Sequence, residues 1–405
     1  MAKARPININ DFGGGLNTST SFAIEDNQFT KLDNFYYNKE KQLQTRLGYE
    51  TFGDNLPDSI SSFYWYQNDG TLESRAVCHA GEKFYEYDEG TDAWVEKKTG
   101  LTATEATGYR AGRATRRDYA VYKNVIYMCD GVNNYASWDG TTYTEYATMP
   151  KCRYLNYLQD VIFGAGDDTN PNTLYYTDAA PTDGSVINAN IVVVGGDQNG
   201  QINGITELSN IILVFKSYDI YSIDVTNKAA RTINAQDGGH GNRAIHGVGN
   251  TIAYFSDNSV ETLQQKIYTG GTSLESEPMS DDVKSVVDKV VEAQYNSTCA
   301  WYDDKRTNYT ISFDTDDDNI PDTTLVHSSL VKAWTQWNLP TIYTYGKYIN
   351  AAGVVDYLFS SGGQMYKMHN GLQDNGVDIP YELETKKYDF GQTGLNKTYD
   401  YVDIS

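Results

Sequence analysis

NVIYMCDGVNNYASWDG, residues Asn124 to Gly140, reads as strand, turn and strand. A run of β-branched and aromatic residues (Val125, Ile126, Tyr127, Met128) breaks at Asp130-Gly131 and Asn133-Asn134, resumes at Tyr135 and closes on Trp138-Asp139-Gly140, which is the pattern of a hairpin. The same grammar returns in Arg75 to Trp94, Gln159 to Asp178, Ser209 to Asp224, Gly249 to Leu263, Asn308 to Trp334 and Val354 to Met368. The first strands of these hairpins begin roughly 36 to 58 residues apart, the range expected when each repeat is one four-stranded propeller blade. The fold class that follows is all-β: a β-propeller of six to eight blades over residues 57–379. An extended N-terminal arm (1–56) precedes it, and the start of a further β domain (380–405) follows, stopping in mid-strand at Ser405. A two-sheet sandwich is the alternative.

Composition agrees with a β protein. Tyrosine reaches 34 of 405 residues, and tyrosine suits half-buried strands with one polar tip in water. The net charge of −22 argues against a nucleic-acid binder of the basic kind and against an anionic membrane surface. MAKARPININDFGG carries no apolar core behind its charges, and no apolar run is long enough to span a bilayer. The expectation is synthesis in a cytoplasm and no membrane binding by this chain itself. Cys78, Cys129, Cys152 and Cys299 lie far apart with no CxxC spacing, and read as small reduced core residues.

The segment Asp11 to Tyr49 has another character. A triple glycine (Gly13 to Gly15) and a polar Asn-Thr-Ser-Thr-Ser run are turn-like or extended. One short helix candidate follows around Glu25 to Asn34, and the segment closes on Leu47-Gly48-Tyr49. Gly14, Gly15, Leu16, Ala23, Ile24, Asp26, Asn27, Gln28, Leu32, Asn34, Arg46, Gly48 and Tyr49 together make a glycine cluster, an A-I-x-D-N-Q element, an L-x-N element and a closing R-x-G-Y. In this order they resemble the opening of tail nozzle and minor tail proteins of bacteriophages. The resemblance continues through Arg243 to Val260, Glu277 to Asp282 and Thr324 to Trp337.

The resemblance implies a structural subunit of a virion tail, not an enzyme. It would form a homo-oligomeric ring around a channel that DNA crosses without specific binding, and would meet other tail or head-to-tail proteins. Gly14, Gly15, Arg46 and Tyr49 are then candidates for the segment that reaches a neighbouring copy. The competing class is a tail protein that binds or cleaves host-surface carbohydrate. The sialidase box S-x-D-x-G-x-T-W is absent, as are a P-loop, a GxSxG elbow, an HExxH motif and a Rossmann fingerprint.

Three further stretches carry chemistry. Arg110, Arg113, Arg116 and Arg117 form the dense cationic cluster of an acidic chain, and read either as a solvated loop or as a docking surface at a subunit joint. Ser280 as N-cap, Asp281 and Asp282 in the first turn, and Val283, Val286, Val287 and Val290 on one face predict a helix over Asp281 to Val291. In DTDDDNIPD, the carboxylates of Asp314, Asp316, Asp318 and Asp322 have the spacing of loops that wrap calcium. Asparagine at the glycine position and Leu325 where an EF-hand has glutamate depart from that pattern, and a solvated hairpin tip is the other reading. Beyond calcium no cofactor is expected. His240 and His246 lack a third ligand at metal spacing.

Overall fold

The computed structural model describes residues 11–387 apart from 22, 106–112, 197–199, 234–236, 258, 269–270, 317 and 319. Each of the seven hairpins becomes the middle of one blade. Blades 2, 3, 4 and 5 are four-stranded antiparallel sheets whose first strands are Asp118–Tyr122, Tyr154–Leu158, Ile202–Leu208 and His246–Val248. Blade 1 runs from Ile60–Gln67 to Ala93–Lys98, blade 6 begins with Cys299–Asp303, and blade 7 begins with Thr344–Ile349. The first strand of each blade lies innermost, where it packs against first strands of its neighbours.

The sequence pattern follows from this radial stacking. A middle strand has a neighbouring blade on both faces, so it reads as an unbroken apolar run: Val161–Ala165 (VIFGA) and Asn308–Phe313 are buried throughout. An outer strand has water on one side and alternates, as in Asn190–Val193, where Ile191 and Val193 are exposed. The core is accordingly divided among the seven blade-to-blade interfaces. Val77, Phe84, Ile126 and Met128 fill the joint of blades 1 and 2, and Phe163, Leu174, Ile205 and Val214 that of blades 3 and 4. All four cysteines are free thiols inside this core.

The ring is closed by the N-terminal segment. Tyr49–Phe52 pairs antiparallel with Gln364–Met368 and supplies the outer strand of blade 7, with Phe52 opposite Met365 and Tyr49 opposite Met368. The aromatic strand Ile60–Gln67 lies at the inner end of its blade. Ile60 to Phe63 are buried, as an innermost strand requires, and it opens blade 1.

Four expectations change. Residues before Tyr49 do not form a free arm: Gln28–Asp33 is a strand, not a helix, and it adds to the outside of blade 6 beside Ala333–Trp337. Gly15–Leu16 pairs with it in parallel, and Glu382–Thr385 pairs with it antiparallel. Blade 6 thereby grows to seven strands, and residues 380–385 are part of its outer layer. The helix after Ser280 is one 3₁₀ turn, Asp281–Val283, followed by one α-turn, Lys284–Val287. Its valine face is as expected, since Val283, Val287 and Val290 pack with Leu16, Phe29 and Phe313. Its length is not, because β-branched residues crowd a helix and the Ser280 hydroxyl accepts the Val260 N–H instead of capping.

Candidate functional site

The ends of the innermost strands converge on the propeller axis, and there a polar plug replaces the apolar packing. Asn242–Ala244, a 3₁₀ turn in the glycine-rich loop before blade 5, carries it. Arg243 donates Nη1–H bonds to the carbonyls of Ser61 (2.6 Å) and Tyr343 (3.0 Å), and an Nη2–H bond to that of Arg117 (3.4 Å). These are the entrances to blades 1, 7 and 2. Asn242 accepts the Ile205 N–H of blade 4 and donates to Asp118 Oδ2 of blade 2, each at 2.9 Å. Asp118 in turn accepts the backbone N–H groups of Leu155 in blade 3 and of Tyr119. Arg116 completes the circle by donating to the carbonyls of Asn296 and Ser297, before blade 6. One network therefore touches all seven blades. It leaves a cavity of about 40 Å³ walled by Arg116, Asp118, Tyr154, Asn242, Arg243 and Asn296.

Burial pushes the Asp118 carboxyl up to about 6, the three N–H donors opposing it only in part. The protonated form is thus favoured by folding. The stability that this group contributes is fully present below about pH 4 and is lost as pH rises through about 6, a change of up to about 3 kcal/mol. Denaturant unfolding of the wild type and of Asp118→Asn across pH 4 to 7 checks this: the wild type is expected to lose stability relative to the variant over that window. Parallel curves would contradict it.

Three arginines of the cluster find acceptors within the chain. Arg117 is buried, with Nε 3.3 Å from Asp130 Oδ2 and Nη1 donating to the Tyr143 hydroxyl at 2.6 Å. Arg113 donates to the Ala293 carbonyl, and Arg116 to the carbonyls named above. Their charges serve a loop that crosses the ring opening and must find acceptors there. Arg110 lies outside the described residues.

The four arm residues expected to reach a neighbour also turn inward. A Cβ on Gly14 would lie 2.6 Å from the Asn27 carbonyl oxygen. Gly15 has φ +67°, and a Cβ there would lie 2.7 Å from that of Ala333, so only glycine fits beside the outer strand of blade 6. Arg46 is buried, donating bidentately to Asp374, and Tyr49 stacks edge-on against Phe359 and Tyr366. The physical reason is pairing: Gly14 and Gly15 serve the strands added to blade 6, and Arg46 and Tyr49 the strand that closes the ring.

At the acidic loop, carboxylate oxygens of Asp314, Asp316 and Asp318 come within 4.8 Å of one another. Asp314 is buried and the other two are exposed. Asp322 stands apart from this set, its Oδ1 accepting the Thr315 hydroxyl at 2.9 Å. Three hard oxygens with open positions suit a weakly held calcium ion better than a tight EF-hand-like cage. If calcium binds, millimolar calcium should raise the melting temperature by mass action, and Asp316→Asn with Asp318→Asn should abolish the rise. No rise in the wild type identifies a solvated turn.

The histidines have ordinary partners. His240 pairs with Asp257 and packs on Tyr295, while His246 packs edge-on to Trp301. Among the described residues the three aspartates are the one cluster with metal-ligand geometry. Asp118, Asn242 and Arg243 are not distinguishable by local motif. The one available signal is position, since each stands at the entrance to an innermost strand.

No protein-family profile and no curated protein matches the chain. Among solved structures it is similar to streptogramin B lyase, at 13% identity and a TM-score of 0.50, over 79% of this chain and 96% of that one. It is also similar to the extracellular domain of a one-component system from B. thetaiotaomicron, at 12% identity and a TM-score of 0.50. That match covers 81% of this chain and 41% of the other. The likeness is one of fold: the chain is an all-β propeller. At such identities no activity transfers with the architecture.

Proposed function

We propose that the chain is a structural subunit of a bacteriophage tail, a nozzle-like or minor tail protein that works by geometry and assembly. The observation that carries this reading is where the residues of the tail-protein resemblance fall. Gly15, Gln28, Leu32, Asn34, Arg46, Gly48 and Tyr49 lie in one continuous device, the segment that fastens blade 6 and closes blade 7. Residues that fasten blades to one another serve shape, not turnover, as a structural subunit requires.

Copies would meet through surfaces other than the fastened arm. Ile191 and Val193 on the outer strand of blade 3, and Leu372, Val377, Tyr381 and Leu383 beside blades 6 and 7, are exposed apolar side chains of the kind an assembly covers. The axial cavity is far smaller than the roughly 300 to 1,000 Å³ of ordinary ligand pockets, which weighs against a sugar-cleaving centre on the axis.

Quantitative mass spectrometry of purified particles tests the proposal. Several copies of the chain per particle, with no release of reducing ends from a panel of polysaccharides, is the expected result. Absence from the particle, or reproducible cleavage by the isolated chain, overturns it.

A further inference from the structure

The outer strand of a sheet shows a row of unpaired backbone groups, and proteins guard such edges with charges or with a covering segment. Six of the seven blades are guarded in this way. Blade 1 ends on Ala93–Lys98 with Glu96, Lys97 and Lys98, and blade 2 on Tyr143–Tyr146 with Glu145. Blade 4 ends on Ala230–Thr232 with Arg231, and blade 5 on Gly271–Pro278 with Glu275 and Glu277. Blade 7 is covered by Tyr49–Phe52 and the short strand Gln373–Asp374 beside it. Blade 6 is covered by Gln28–Asp33 and then by Glu382–Thr385, which has no strand on its outer side among the described residues and exposes Leu383 between Glu382 and Glu384. Blade 3 is the exception. Its outer strand, Asn190–Val193 (NIVV), carries no charge, no proline and no bulge, has no further strand beside it among the described residues, and exposes Ile191 and Val193.

We propose that the bare edge of blade 3 is covered by a second copy of this chain, whose Glu382–Thr385 strand adds to the outer side of Asn190–Val193. The inference rests on the assembly role proposed above and names the surfaces through which copies join. Blades 3 and 6 lie on nearly opposite sides of a ring of seven, so a contact between them is head-to-tail, the kind that closes rings. The two strands match in length, at four residues each. The neutral NIVV edge sets no like charge opposite Glu382 or Glu384, whereas the edges of blades 2 and 5 carry glutamates that would repel them. A pair of four-residue strands buries far less than the roughly 800 Å² per partner of a standard interface, too little to hold an unrelated protein from solution. Identical contacts that close a ring gain from one another, because each raises the effective concentration for the next.

Cross-linking of the full-length chain in concentrated solution tests this. All four native cysteines are buried thiols, so Ile191→Cys combined with Leu383→Cys supplies the two accessible ones, on opposite sides of the propeller. A short bismaleimide should join this double variant into a ladder of dimers, trimers and larger species, while the wild type and each single variant stay monomeric. Val193→Asp added to the double variant should cut the yield at least about fivefold, by setting an acid opposite the glutamates. Circular dichroism confirms that each variant folds, and Glu384→Cys replaces Leu383→Cys if that change does not. The proposal is overturned by no ladder from the double variant, by a yield that Val193→Asp leaves unchanged, or by dimers from Ile191→Cys alone, which would mark a two-fold contact of blade 3 with itself. Particle mass spectrometry separates the contact from the tail role. A ladder from a chain absent from particles keeps the contact and removes the role, and a chain present in particles without a ladder keeps the role and removes the contact.

Discussion

Replacing Arg46 by methionine should lower the unfolding free energy by about 3 to 5 kcal/mol, the usual cost of leaving one member of a buried ion pair alone. The guanidinium uses all five of its N–H donors: Nε to Asn34 Oδ1 at 2.7 Å, two to the Asp374 carboxylate, and one each to the carbonyls of Leu47 and Asn338. Removing it strands Asp374, which is nearly sealed, and leaves the Asn34 side chain without one of its partners. Asn34 has φ 65° and also bonds the Asn338 N–H and the Pro380 carbonyl, so the loss spreads to the joint of arm, blade 6 and C-terminal strand. Arg46→Met combined with Asp374→Leu should recover a large part of the stability, because no buried charge is then unpaired. Urea unfolding of the two variants decides the matter. A single-mutant loss below about 1 kcal/mol would mean that the pair is solvated and the arm loosely held.

Truncating Phe52 to alanine should cost about 3 to 5 kcal/mol as well, by lost transfer energy and by the cavity left behind. Phe52 is the buried end of the closing strand, stacked on Tyr87 with ring centroids 4.4 Å apart and tilted against Tyr348 at 5.3 Å. Its loss weakens the contact between blades 7 and 1, where the closing strand packs on the first blade. Hydrogen exchange on Phe52→Ala is therefore expected to speed up first in Gln364–Met368 and Ile60–Gln67, not uniformly around the ring. Uniform acceleration would show that closure is not a local weak point.

The repeat was legible because radial stacking imposes the same burial on every blade. Val125 to Met128, Val161 to Ala165 and Ile211 to Phe215 all meet a neighbour on both faces, and the resulting apolar runs recur at blade length. Closure was not legible. Tyr49–Phe52 (YETF) alternates like any outer strand, and nothing local says that its partner lies more than 300 residues away at Gln364–Met368. The segment Gln28–Asp33 looked helical because its apolar residues, Phe29 and Leu32, are three apart; pairing with Glu382–Thr385 on one side and Gly15–Leu16 on the other overrides that spacing. The inward bonds of the arginines were not legible for a related reason. A cationic run in an acidic chain suggests an outside partner, but Arg113, Arg116 and Arg117 find carbonyls and a carboxylate supplied by distant parts of the same chain. The acidic loop lay between these cases: spacing placed Asp314, Asp316 and Asp318 together, and only side-chain direction separates Asp322.

Under the proposed tail role, the net charge of −22 bears on the assembled particle. The polar network at the inner strand ends then puts a DNA channel between copies, along their outer surfaces. A bore lined by Asp and Glu repels phosphates over about 8 to 10 Å at physiological salt, whereas exposed lysines or arginines would exchange counterions with the DNA and slow it. An electron cryomicroscopy map of the assembled tail tests the structural role most directly. The account predicts a closed ring of identical propellers with acidic side chains facing the channel, and with Arg113, Arg116 and Arg117 inside each subunit. A single peripheral copy, or a channel lined by basic side chains of this chain, would contradict it.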